Sequence, residues 1–194
     1  GGVLYIAMRF VDGPNLGQLV ARRGRLPVGA AVRIVSQVAD ALDAAHAAGL
    51  VHRDVKPANI LLAEGAGEEH AYLTDFGLAV PVAEGTAQRG RYAGTLSYIS
   101  PEQIRGGPID GRADVYALGG VLFHALTGRA PFPVAGREAK LVAHLTAPPP
   151  RPSELVPGLP RAFDEVIARA MAKRREDRYA TAGELAAAAR AARS

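Results

Sequence analysis

Apolar positions along the chain follow two periods, and their alternation outlines most of the elements. Residues 3–8, VLYIAM, form a continuous apolar and β-branched run that predicts a strand. Asp12-Gly13-Pro14 reads as a turn. Asn15 with Gln18 reads as a capping box opening a short helix over residues 16–23, which Gly24 closes. From Pro27 to Ala48, Val28, Ala31, Val32, Val35, Val38, Ala39, Leu42, Ala45 and His46 recur at helical spacing, and Gly49 stops the run. Leu50-Val51 and Ile60-Leu61-Leu62 flank a polar stretch, a strand–loop–strand pattern, and a polar loop at 63–70 leads to a returning strand over 72–75. Residues 78–93 show no period and read as a mobile loop. Residues 112–127, RADVYALGGVLFHALT, are apolar nearly all round, which predicts a helix buried in the core and ended by Gly128 and Pro131. Pro148, Pro149, Pro150 and Pro152 predict an extended connector. Two amphipathic helices follow near 161–172 and 181–192, the second opened by Thr181-x-x-Glu184 as a capping box.

Composition narrows the picture without changing it. At 194 residues the chain suits one well-cored domain, and no internal repeat or linker divides it. No apolar run approaches a membrane span, and no signal peptide opens the chain. The absence of cysteine removes disulfides and thiolate metal sites. A net charge of +4 raises the question of a nucleic-acid partner. The clusters Arg22-Arg23-Gly24-Arg25 and Lys173-Arg174-Arg175 fall near helix ends and lack interleaved aromatics, so they read as solvated faces and no nucleic acid is expected. Glu68-Glu69-His70 resembles a metal cluster, but adjacent residues on a loop rarely converge on one ion. His46, near the end of its helix, reads as a packed or capping residue.

The chemistry concentrates in residues 50–62, LVHRDVKPANILL, and in TDFG at 74–77. Asp54 is followed by Lys56 at two residues and Asn59 at five, and Asp75 precedes Phe76-Gly77. Two acids, an amide and a lysine held by short strands are what phosphoryl transfer needs. Its loose transition state leaves the protein mainly positioning, metal ligation and charge neutralisation to supply.

HRDVKPAN matches the catalytic-loop signature H-R-D-L-x-x-x-N of protein kinases with Val55 in place of Leu. DFG matches outright, and Ser100-Pro101-Glu102 stands where the family has A-P-E. From about residue 3 to about 190, the chain resembles the large C-terminal lobe of a bacterial eukaryotic-like (Hanks-type) serine/threonine protein kinase. The resemblance implies an α+β, mainly α-helical fold: a kinase-like C-lobe with a remnant small-lobe strand and short β-hairpins at the catalytic site. Residues 1–11 would be the last small-lobe strand and hinge, and residues 12–194 the C-lobe of a partial kinase domain.

The same resemblance assigns roles. Asp54 would be the catalytic base that orients the substrate hydroxyl, and Lys56, at a spacing typical of Ser/Thr-specific members, would neutralise the γ-phosphate. Asn59 and Asp75 would ligate Mg²⁺, with Mn²⁺ as the alternative, and ATP would be the phosphoryl donor. Met8 would be the gatekeeper and Arg9-Phe10-Val11 the adenine-binding hinge, Arg9 standing where Glu is more usual; Leu61 joins these nucleotide contacts. His52 belongs to the same loop, and Arg53 would pair with a phosphorylated activation-loop residue. Thr86, the one Ser or Thr in 78–93, is the candidate phosphosite. Thr95, in the substrate-docking segment 94–98, would contact Asp54 and Lys56. Asp114 would anchor the backbone of residues 52–53, and Arg178 would pair with Glu102.

Neither G-x-G-x-x-G nor V-A-I-K occurs in the 194 residues. The chain therefore reads as a fragment cut inside the small lobe's last strand, with negligible phosphotransfer of its own. The expected parent is an ATP-dependent protein Ser/Thr kinase acting on protein substrates, cytoplasmic, with dimerisation as an activation route. Relatives with a span after the kinase domain allow a membrane-anchored parent. Two other readings are a non-catalytic truncated kinase or pseudokinase that binds partners, and a small-molecule phosphotransferase with the same Asp…Asn…Asp plan. Gly94-Thr95 and Ser100-Pro101-Glu102 count against the last, because they belong to a peptide-docking segment.

Overall fold

In the computed structural model, residues 10–64, 69–76 and 95–193 are described. The all-round apolar segment becomes the centre of the molecule. It forms α4 (Gly111–Thr127), buried along nearly its whole length from Ala113 to Leu126. The Asp110 side chain accepts from the Arg112 amide at its start, and Gly128 ends it in a left-handed conformation. Gly128 also touches another helix end: a Cβ there would lie 1.7 Å from the Gly24 carbonyl oxygen, so only glycine fits.

Around α4 the chain lays α1 (Leu16–Arg23), α2 (Val28–Ala47), α3 (Pro101–Arg105), α5 (Arg137–Thr146), α6 (Pro152–Leu155), α7 (Ala162–Ala170) and α8 (Ala182–Ala191). The predicted spans of the longer helices hold to within a few residues. α1 carries the complete Asn15–Gln18 capping box. α2 turns Ala31, Val32, Val35, Val38, Ala39 and Leu42 inward against α4 and α8.

Strands β1 (Ile60–Glu64) and β2 (Glu69–Leu73) pair antiparallel, from Ile60 opposite Leu73 to Glu64 opposite Glu69. The hairpin is fastened on both sides. The Ala71 amide donates to Gln37 Oε1 of α2 at 2.6 Å, and the Leu62 amide donates to the Pro14 carbonyl at 2.9 Å. Gly13, with φ +147°, allows that second contact, since a Cβ there would fall 2.0 Å from the Leu62 oxygen. The result is the mainly helical α+β architecture that the resemblance implies. Among the described residues no helix is long and apolar enough to cross a membrane.

Several details differ from the sequence reading. Leu50-Val51 is not a strand: the Leu50 amide closes the end of α2 on the Ala45 carbonyl at 2.9 Å, and its side chain is exposed. β2 begins at Glu69 and ends before Thr74, so residues expected in the loop join the ladder. α3 and α5 went unpredicted. α3 spans five residues inside a motif, and α5 buries only His144. Pro152 is not part of an extended connector but the first residue of α6, where its missing N–H costs nothing. Thr181 caps the Glu184 amide of α8 as expected, but Glu184 Oε2 accepts from Ala180 rather than from the cap residue, so the box is displaced by one position. The expected strand at 3–8 and loop at 78–93 lie outside the described residues.

Candidate active site

Residues 52–59 cross from the end of α2 to β1, and a carboxylate from the first turn of α4 holds them. Asp114 is 1% exposed. Its Oδ1 accepts from the Arg53 amide and its Oδ2 from the His52 amide, both at 2.8 Å. A third partner comes from α2: His46 Nε2 lies 2.8 Å from Oδ2. That hydrogen bond, opposed by partial burial and assisted by the charge of Asp114, raises the His46 pKa above its ordinary value. The residue read as merely packed or capping is thus joined to the group that fixes the loop. No local spacing announces a partner 68 positions away.

His52 is fully buried and links the loop to the end of the hairpin. Its Nε2 lies 2.9 Å from the Thr74 carbonyl, while Nδ1 accepts from the Asp54 amide at 3.2 Å. One ring nitrogen donates and the other accepts, the pattern of a single tautomer. The ring packs 4.6 Å from Phe76, centroid to centroid.

Asp54, Lys56 and Asn59 converge directly. Lys56 Nζ donates to Asp54 Oδ2 at 2.6 Å. Asn59 Nδ2 donates to the same oxygen at 3.1 Å and to the Asp54 carbonyl at 2.9 Å. Asp75 follows Thr74, whose amide donates to the Asn59 carbonyl at 2.9 Å, and its side chain is exposed.

Among the described residues, Arg53 and Asp75 are the two non-glycine positions with positive φ, at 67° and 64°. Such a conformation costs about 1–2 kcal/mol, and both sides of Arg53 are tied to offset it. Its amide is on Asp114, and its carbonyl accepts from Gln103 Nε2 of α3 at 2.8 Å. Both positions belong to the segments that the kinase resemblance singles out.

The residues present fit a divalent cation. Asn59 commits its amide nitrogen to Asp54, which leaves Oδ1 as a hard oxygen, and Asp75, next in the chain to the Thr74 amide bonded to Asn59, offers an exposed carboxylate. Two oxygen ligands completed by water and phosphate suit Mg²⁺. Among the described residues no group of three or more His, Asp or Glu side chains forms a metal cage.

α3 borders the site. The cleft between it and the loop is lined by Arg53, Asp54, Val55, Tyr98, Ile99 and Gln103. Tyr98 hydrogen-bonds His124 Nδ1 of α4, a contact sequence reasoning missed. On the far side of α3, Arg178 Nη1 and Nη2 grip Glu102 Oε1 and Oε2 at 2.7 and 2.8 Å. Burial pushes the Glu102 carboxyl up, but the bonds and charge of Arg178 outweigh it and hold the pKa below the usual value.

The other predicted positions are less constrained. Val11 is half-buried, and Leu61 is half-buried on β1 opposite Tyr72 and bridged to Asn15. Thr95 opens a short 3₁₀ turn over Thr95–Ser97, but its side chain lies outside the described residues, as do Met8, Arg9 and Thr86.

Asp114 clamping residues 52–53, and Lys56 and Asn59 meeting on Asp54, are the arrangement expected of a protein kinase. Residues 2–188 match the protein kinase domain, and the chain belongs to that family. It is 46% identical over 194 residues to the serine/threonine-protein kinase PknH of Mycobacterium tuberculosis, covering 100% of this chain and 30% of PknH. It is 48% identical over 193 residues to PknE of the same organism, covering 98% of this chain and 33% of PknE. The crystal structure of the M. tuberculosis PknI kinase domain superposes with a TM-score of 0.73 at 35% identity, covering 94% of this chain and 64% of that one. The chain spans about a third of the length of the curated relatives it matches.

Proposed function

We propose that the chain carries the catalytic loop and metal-binding residues of an ATP-dependent protein serine/threonine kinase, with proteins bearing Ser or Thr hydroxyls as substrates. The convergence of Lys56 and Asn59 on one oxygen of Asp54 carries the reading. With Oδ2 so engaged, Oδ1 is the oxygen turned to an incoming hydroxyl, which it orients and whose proton it accepts late in the transfer. The Lys56 ammonium, 2.6 Å from Asp54 Oδ2, would place a positive charge where phosphate oxygens would lie. Asn59 and Asp75 would hold the magnesium, which supplies charge neutralisation on the phosphates when bound. Asp114, through the two amides it fixes, sets the direction of Asp54 without touching substrate.

Asp54→Asn in the protein from which these residues come tests the assignment. Incorporation of labelled phosphate into a protein substrate is expected to fall by about 10²–10⁴-fold. Undiminished labelling would overturn it. The absence of G-x-G-x-x-G and V-A-I-K from the 194 residues favours a second reading, a non-catalytic binding module. On that reading the same assay gives no Asp54-dependent signal at all. A polypeptide of these residues alone is expected to transfer negligible phosphate on either reading.

A further inference from the structure

Behind the Glu102–Arg178 pair lies a cleft of about 270 Å³, lined by Glu102 and Arg105 of α3, Pro108 of the following turn, and Lys173, Arg174, Arg175 and Glu176 of the α7–α8 connection. Four cations from two separate elements meet there. Both carboxylates are already engaged: Glu102 by the buried fork of Arg178, and Glu176 by Arg175 at 3.2 Å and Arg174 at 3.9 Å. Among the described residues, Arg105 and Lys173 have no carboxylate partner.

Lys173 is not loosely solvated. Its Nζ donates to the His144 carbonyl at 2.9 Å and lies 4.8 Å from the Phe132 ring centroid. Burial, with the neighbouring charges of Arg178 and Arg105 adding to it, pulls its pKa down to about 8. Arg175 is held in place by a hydrogen bond to the Pro108 carbonyl at 3.1 Å and by Asp110 at 3.5 Å. Cations at helix ends ordinarily face water and the helix carbonyls. Here they line one concavity: Arg174 pairs with Glu176 and Asp177, and Arg175 with Glu176 and Asp110, while the charges of Arg105 and Lys173 stay without a carboxylate among the described residues.

We propose that this cleft is a binding site for a phosphate group, seated between Arg105 and Lys173 with Arg174 and Arg175 at its rim. Guanidinium groups match the tetrahedral oxygens of phosphate, and the ammonium supplies a point charge. The site is separate from the catalytic cluster. Occupancy would nonetheless be felt there, because Glu102 and Gln103 are adjacent on α3 and Gln103 holds the Arg53 carbonyl. Binding needs no turnover, so its failure and the failure of the kinase reading are separate results.

The test is a titration of the chain followed by amide and Lys Nζ chemical shifts, using three probes: inorganic phosphate, a phosphoserine peptide and the same peptide unphosphorylated, all at matched ionic strength. Inorganic phosphate is expected to shift residues 105, 108 and 173–176 saturably and to raise the Lys173 pKa. Arg105→Ala is expected to weaken binding roughly tenfold, and Arg129→Ala, a distant exposed arginine, to leave it unchanged. Tighter binding of the phosphopeptide than of inorganic phosphate would assign the site to protein-borne phosphate, and equal binding to the free anion. Three results would overturn the proposal: no saturable shifts, shifts spread equally over Arg22, Arg23 and Arg25, or equal affinity of the unphosphorylated peptide.

Discussion

Asp114 accepts from two consecutive backbone amides and faces His46 at the distance of a third hydrogen bond. The charges of Asp43 and Asp110 raise the imidazole pKa further. Because the folded value lies above the unfolded one, near 6.5, the contribution of His46 to stability is complete below that pH. It is lost as pH rises through the folded value. His46→Gln is therefore expected to flatten the decline of the urea midpoint that the unsubstituted chain shows as pH rises above about 6.5. An unchanged slope would mean that the ring does not titrate against Asp114. The resemblance to protein kinases pointed to Asp114 as the anchor of residues 52–53. It did not point to His46, whose meaning depends on a residue far along the chain.

At the scale of elements, what could be read was what is local. The capping box of α1, the periodicity of α2 and α7 and the all-round apolarity of α4 lie within a few residues and appeared as expected. Leu50-Val51 misled because an apolar pair can finish a helix as readily as begin a strand. α5 stayed hidden because its exposed face is polar and partly apolar without a clean stripe, with Val142 in solvent. Element junctions carry two further predictions. Arg178→Met leaves Glu102 half-buried without its partner. It is expected to destabilise the fold by about 3–5 kcal/mol in denaturant unfolding, more than a surface ion pair would cost. Asp43 of α2 caps α8 from outside, accepting from the Ala182 and Gly183 amides at 2.9 Å each. Asp43→Ala is expected to cost about 1–2 kcal/mol, with hydrogen exchange accelerated first in α8.

Across the whole molecule, the bonds that hold the scaffold join residues 62, 76 and 139 positions apart. The motif named the chemistry, whereas the scaffold holding it lay beyond any local pattern. The core also has its own acid limb. His144 is buried beneath Tyr116 and Phe132, and burial, assisted by Lys173, pulls its pKa down to about 4. A depressed histidine binds its proton more readily in the unfolded chain, so stability is present above the unfolded value and falls as pH drops from about 6.5 toward 4. Thermal unfolding across that range should show the loss, and His144→Phe should remove part of the slope even where it lowers the melting temperature overall.

Gly111 stands at the first turn of α4 with an ordinary backbone, and its place is defined by what it lacks. A methyl there would sit 2.6 Å from His46 Nδ1. Alanine would suit the helix better by about 1 kcal/mol, yet it would lever the imidazole off the carboxylate it shares with residues 52 and 53. The orientation of the putting-in-place aspartate, and through it the reach of Asp54, thus hangs on a hollow one carbon wide.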